Sequence, residues 1–184
     1  MRARSFLIPF AVAPAVLFLI LKIAHPVAGA QGKPSLDIHY VPTPPAVVDA
    51  MLDLAHVTPR DVVYDLGSGD GRIVIAAAKR FGVKGVGVEL DRDLNKVAER
   101  AARRAGVASL VRFQALDLFK ADLSDATVIT LYLSPTTNLR LREKLRRELK
   151  PGTRIVSHRF DMGDWKPDEE RVVGTVHIFL WTIR

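Results

Sequence analysis

Between Val62 and Arg72 the chain reads V-V-Y-D-L-G-S-G-D-G-R, and no other stretch constrains the fold as much. Val62, Val63 and Tyr64 are a short β-branched and aromatic run suited to a buried parallel strand, and Gly67, Gly69 and Gly71 follow at alternate positions. Arg72 to Phe81, with its three successive alanines, favours a helix, so the glycines fall between a strand end and a helix N-terminus. There a nucleotide-like cofactor can approach backbone amides. A dinucleotide fingerprint would place Gly or Ala where Arg72 stands, so the fit to NAD is incomplete. What the turn has instead is an acid, Asp65, two residues ahead of Gly67.

A second apolar run, Gly85 to Asp91, carries Glu89 24 residues after Asp65. That is close to the spacing of about 20 at which a strand-end carboxylate accepts ribose hydroxyls in dinucleotide folds. Asp91 and Asp93 read as caps of a helix that buries Leu94, Val97, Ala98, Ala101 and Ala105 and stops at Gly106. Leu110 to Gln114 is the third strand, leading to A-L-D-L-F with Asp117 and Leu118. Ala126 to Leu133 is the fourth, followed by Ser134, Pro135 and a helix with Leu141, Leu145 and Leu149 on one side. Thr153 to Ser157 is the fifth, and Arg171 to Ile183 folds into two adjacent strands around Gly174. Alternation of strand and helix that ends in adjacent strands predicts an α/β fold. We expect a Rossmann-like, doubly wound, mostly parallel sheet with a C-terminal antiparallel strand, preceded by an N-terminal hydrophobic segment. Asp65, Glu89 and Asp117 then close the first three strands at one sheet edge, as a single site.

The N-terminal quarter divides in two. Residues 1–32 have Arg2 and Arg4 ahead of an apolar stretch from Phe6 to Leu21, then A-G-A before Gln31. This is the layout of a secretory signal with an A-x-A cleavage site, or of an uncleaved membrane anchor. Its charge bias puts the N-terminus in the cytoplasm and the body across the membrane, which conflicts with a cofactor made in the cytosol, so the protein is expected to be membrane-associated or exported with the side of the membrane open. Residues 33–45 are a tether ending in V-P-T-P-P, with Thr43 placed to cap the helix that follows; it serves as a rigid linker or as a lid carrying Tyr40. The domain proper is 46–184. Of the net charge of +7, four positive charges (Arg2, Arg4, Lys22, Lys33) precede the first acid at Asp37, leaving +3 for the remainder. A basic helix from Leu139 to Lys150 reads as a solvated face, and a nucleic-acid footprint is not demanded.

The order acid-x-G-x-G-x-G resembles motif one of the class I S-adenosylmethionine-dependent methyltransferases. With Y-V-P-T-P, G-V-E-L-D, A-L-D-L-F, V-I-T-L-Y-L-S-P and H-R-F before W-K-P, the body is similar to the small membrane-tethered protein-lysine methyltransferases of mitochondria and their bacterial relatives. The resemblance implies S-adenosylmethionine bound by Asp65, Gly67, Ser68, Gly69, Gly71, Glu89, Leu90, Asp117 and Leu118. Asp117 would accept from the adenine amino group, and the Leu118 amide would meet a ring nitrogen. It also implies a lid around Tyr40 and Pro42.

Methyl transfer from a sulfonium needs orientation rather than a nucleophile, so Tyr40, Ser134 and Pro135 are expected beside the transferred methyl. His158, Arg159, Phe160 and Trp165 could border the acceptor, although a lone histidine is more often structural. L-S-P-T after the fourth strand departs from the N-P-P-Y or D-P-P-Y of enzymes that methylate base amines, which disfavours nucleic acid. The absence of cysteine removes thiolate chemistry, and the five histidines show no metal-ligand spacing, so no metal is expected. No large insertion is present to enclose a small acceptor. The expected partner is a protein lysine, on a protein segment or a membrane-embedded partner, and the alternatives are a small-molecule methyltransferase or a non-catalytic membrane-tethered cofactor-binding module.

Overall fold

The computed structural model describes residues 41–184. The leader and the tether as far as Tyr40 lie outside the described residues. From there the chain runs α1 (Pro45–Leu54), β1 (Val62–Leu66), α2 (Arg72–Phe81), β2 (Lys84–Glu89), α3 (Arg92–Arg104) and β3 (Val111–Ala115). A single 3-10 turn (Leu118–Lys120) precedes β4 (Val128–Leu131), α4 (Pro135–Glu148), β5 (Arg154–His158), β6 (Glu169–Val173) and β7 (Val176–Thr182).

The seven strands form one sheet in the order β3-β2-β1-β4-β5-β7-β6. The first five are parallel, and β7 runs antiparallel to both β5 and β6. This is the doubly wound sheet with a terminal hairpin that the alternation predicts. The inner strands β1 and β4 are almost wholly apolar because helices and loops cover both faces. The outer strand β6 carries Glu169, Glu170 and Arg171, charges that discourage edge-to-edge pairing. On one face Val47, Met51 and Leu52 of α1 and Ile73, Val74 and Ala77 of α2 pack with Val63, Val128 and Val156. On the other, Leu141 and Leu145 of α4 pack with Tyr64, Leu66, Ile129 and Trp181. The amino ends of the strands are fastened by an ion pair between the buried Asp61 and the half-buried Arg154. Arg154 also donates to the carbonyls of Ala55 and His56 at 2.8 and 3.0 Å, tying the end of α1 to β5.

Three local expectations are corrected. Thr43 does not cap α1: Pro44 occupies the N-cap and Pro45 the first helical position, where a missing N–H costs nothing, and the threonine is engaged elsewhere. The buried stripe of α3 runs through Asn95, Ala98 and Ala102, leaving Leu94, Val97, Ala101 and Ala105 only half-buried. Asn95 is drawn inward because its Nδ2 donates to the carbonyls of Glu89 and Asp91 at 2.8 and 2.9 Å. The basic helix is only partly a solvated face. Lys144 is buried against Glu148, while the guanidiniums of Arg140 and Arg146 lie 4.4 Å from the ring centres of Phe119 and Trp165.

Candidate functional site

The glycine turn after β1 is bound to the neighbouring strand. The amides of Gly67 and Ser68 donate to the carbonyl of Val88 at 2.8 and 3.1 Å, and the Gly71 amide to that of Ser68 at 2.8 Å. Gly67, Gly69 and Gly71 all have positive φ, at 81°, 53° and 77°. At Gly71 a Cβ would also fall 2.5 Å from Phe113 Cε1 and 2.9 Å from the Ala98 methyl, so α2, α3 and β3 close on this point. Gly71→Ala is expected to destabilise the fold by about 2–4 kcal/mol, from the left-handed backbone and from overpacking. The urea midpoint without ligand checks this, and an unchanged midpoint would contradict the geometry.

The three acids converge at the carboxyl edge. Glu89 closes β2 and is oriented by two amides, Gly69 donating to Oε2 at 3.0 Å and Asp91 to Oε1 at 2.9 Å. Each oxygen keeps a lone pair for a further donor, as a ribose diol requires. Asp117 lies two residues past β3, where its Oδ1 accepts from the Phe119 amide at 3.0 Å. Leu118 beside it is half-buried, and Leu90 is 54% exposed on the rim, an apolar surface suited to cover one side of an adenine. Asp65 is 2% exposed and accepts from Thr130 Oγ1 at 2.7 Å. Burial pushes its carboxyl up to about 7, against the Thr130 hydrogen bond and with added repulsion from Glu89 and Asp70. A carboxyl so placed fits a cofactor that brings an ammonium group. This set of carboxylate acceptors therefore fits S-adenosylmethionine better than a pyrophosphate. Ser68 contributes differently from its glycine neighbours. Its hydroxyl is buried without a hydrogen-bond partner and lies 2.6 Å from where a Cβ on Gly87 would be, beneath the turn.

Across β4 and β5 the edge has another character. Ser134 Oγ accepts from the Thr137 amide at 3.2 Å and Pro135 opens α4, so both expected acceptor-side residues also build the helix start. Tyr40, the third, lies outside the described residues. Trp165 does not border this edge. It packs beside Trp181, whose Nε1 donates to the Trp165 carbonyl at 2.8 Å, and it belongs to the core under α4. Phe160 is half-buried and Arg159 exposed, with φ 72°. His158 is the structural member of the group: it is 3% exposed, stacks on Tyr132 and pairs with Thr43.

Thr130 and Asn95 are parts of this edge that the sequence does not single out, and Thr43 and Arg72, which stand out there as a helix cap and as the break in a dinucleotide fingerprint, have another part in it. Thr130 had a usable signal, as the only polar residue of β4, and its register places it directly beside Asp65. Arg72 is gripped by both carboxylate oxygens of Asp70, at 2.9 and 2.6 Å, and donates to the Thr43 carbonyl at 3.0 Å. That contact spans 29 residues and has no local sequence signature.

The ANTKMT methyltransferase domain matches the chain over residues 65–169. A protein-lysine N-methyltransferase of Saccharolobus islandicus is 47% identical over 72% of this chain and 83% of its own length. The adenine nucleotide translocase lysine N-methyltransferase of Mus musculus is 35% identical over 80% of this chain, which spans 64% of the mouse protein. Among solved structures, a protein of Salinibacter ruber described as an RNA methyltransferase, in complex with S-adenosyl-L-homocysteine, is 57% identical with a TM-score of 0.77. That match covers 78% of this chain and 94% of that one. The matched domain begins at Asp65, the first acid of the cofactor edge, and ends at Glu169, where β6 starts, so the chain belongs to the ANTKMT methyltransferase family of S-adenosylmethionine-dependent enzymes.

Proposed function

We propose that the protein transfers the methyl group of S-adenosylmethionine to the ε-amino group of a lysine in a protein acceptor. The observation that carries this reading is the division of one sheet edge. Asp65, Glu89 and Asp117 gather at the ends of β1, β2 and β3, while the ends of β4 and β5 are bounded by short connections with no inserted subdomain. The first half takes the cofactor, with Glu89 on the ribose, Asp117 and Leu118 on the adenine beside Leu90, and Asp65 with the glycine turn at the amino-acid end. The second half takes a side chain presented by a macromolecule.

Bound S-adenosylmethionine supplies an already activated methyl, so the chain's contribution is alignment of donor and acceptor. A lysine ammonium, with an ordinary pKa of about 10.4, must lose its proton before its nitrogen can attack. An apolar rim at Leu133 and Pro135 would favour that loss by desolvating the charge.

The leader extends the same reading. Residues 1–32 would hold the domain at a membrane as an uncleaved anchor, or direct it across one as a cleaved signal, and residues 33–45 would act as the tether and lid. An acceptor in or beside that membrane would then be met at high effective concentration. Among the described residues no helix is long and apolar enough to cross a membrane.

The Salinibacter relative makes RNA the reading to test against. Full-length protein and labelled S-adenosylmethionine would be incubated with membranes, soluble protein and total RNA from cells lacking the gene, and labelled protein would be acid-hydrolysed. Label is expected in methyl-lysine. Label in RNA would replace the lysine reading, and cofactor binding with label in neither pool would point to a small molecule or a binding module.

A further inference from the structure

The strand order reverses between β1 and β4, and ligands of open α/β sheets sit in the crevice at such a reversal. Tyr132, the first residue after β4, and His158, the last of β5, open the half that the cofactor acids leave free. Their rings stack with centroids 3.8 Å apart and 30° between planes. Behind them, His158 Nδ1 lies 3.1 Å from Thr43 Oγ1, and both residues are 3% exposed. The Thr43 carbonyl in turn accepts from Arg72, whose partner Asp70 belongs to the glycine turn. One residue ahead of α1 therefore ties the cofactor turn to the imidazole on the acceptor side. The backbone beyond His158 is fixed as well. Ser157 Oγ donates to the Phe160 carbonyl at 2.6 Å, and the Asn138 amide donates to Ser157 Oγ and to the same carbonyl at 3.0 Å each. Burial, with the nearby Arg159 charge, pulls His158 down to about 4, so the ring is uncharged at neutral pH and does not repel a cation.

The geometry points to Tyr132 as the aromatic wall along which the acceptor lysine enters, with His158 and Thr43 as positioning residues that set the tilt of that ring. The inference rests on the lysine reading and names the surface that would serve it. An aromatic face attracts an ammonium group and also covers an aliphatic stem after the proton has left. A phenol stacked on a buried, hydrogen-bonded imidazole holds one orientation, which an in-line displacement requires.

Two readouts separate this inference from the function it deepens. In the first, n-butylammonium, a lysine side-chain analogue, is titrated into full-length protein loaded with S-adenosylhomocysteine while tyrosine ring resonances are followed by NMR. Tyr132 is assigned from the Tyr132→Phe spectrum. A saturable shift at Tyr132 is expected, and a Tyr132 resonance that does not respond overturns the wall. In the second, methyl transfer into the protein pool is compared across variants. Tyr132→Ala is expected to raise acceptor KM at least about tenfold with cofactor Kd unchanged, and Tyr132→Phe, which keeps the ring, to raise it less. Thr43→Val, which keeps shape and loses the hydroxyl, should fall between them. Equal losses of cofactor affinity in Tyr132→Ala and Thr43→Val would mean a purely structural role and would overturn the assignment. Should wild type place no label in lysine, the function fails on that result alone, while the butylammonium titration still decides the wall.

Discussion

Glu89→Ala is expected to lower cofactor affinity by about 10²- to 10⁴-fold, at about 1.5–3 kcal/mol for each of two hydrogen bonds accepted by an ionised carboxylate. Methyl transfer at ordinary cofactor concentrations should fall with it. The carboxylate is already steered by the amides of Gly69 and Asp91, so its two remaining lone pairs are presented without further ordering. Removing it also frees the Gly69 amide at the centre of the glycine turn, so the turn loses one of its ties to β2 while the Gly67 and Ser68 amides stay on the Val88 carbonyl. Glu89→Gln separates these effects. The amide oxygen can still brace one backbone N–H, but the charge and one acceptor are gone, and an intermediate loss is expected. Isothermal titration with S-adenosylhomocysteine measures the affinity, and thermal denaturation without ligand shows whether the turn has loosened. Unchanged affinity in the alanine variant would take Glu89 out of the site.

The sheet was readable because its signals are local. The buried strands β1, β2 and β4 are short runs that end at or within a few residues of a glycine, an acid or a proline, and their boundaries fall within a few residues of expectation because such breakers act on the local backbone. The convergence of Asp65, Glu89 and Asp117 was also legible, since parallel strands place every carboxyl end on one side. Long-range polar contacts were not. Thr43 stands before two prolines, where a capping role is the natural local reading, yet its hydroxyl meets a histidine 115 residues away. Asn95 is buried through contacts close in sequence, to the carbonyls of Glu89 at the end of β2 and Asp91 at the N-cap of α3, but apolar periodicity does not mark an asparagine as inward-facing. Trp165 looked like a rim residue by its place after β5, but the short loop folds back under α4 and spends the indole on Trp181. Periodicity assigns a residue to a face of its own element. Which residue of another element it meets depends on how the elements stack.

Cofactor affinity is expected to climb with pH up to about 7, approaching tenfold per unit at the acid end, and to decline again above about 8 as the cofactor's own amine loses its proton. The acid limb belongs to Asp65. Burial raises its carboxyl from 3.8 to about 7, so below neutrality the free protein holds a proton there that an incoming ammonium must displace. The same group governs stability in the opposite sense. Because the folded-state pKa lies above the unfolded one, the folded protein binds the extra proton, and the stabilisation is complete below 3.8 and lost as pH rises toward about 7. At about 1.4 kcal/mol per unit this amounts to about 4 kcal/mol withdrawn from the unliganded fold, which the ammonium restores by supplying the missing charge. Asp65→Asn should therefore be more stable than wild type without ligand at pH about 8, bind the cofactor more weakly there, and lose the acid limb. Denaturant midpoints and titration calorimetry across about pH 5 to 8.5 test both halves. A wild-type affinity that is flat below neutrality would place the cofactor's ammonium away from Asp65, and an Asp65→Asn variant no more stable than wild type at pH about 8 would mean that burial of this carboxylate costs the fold little.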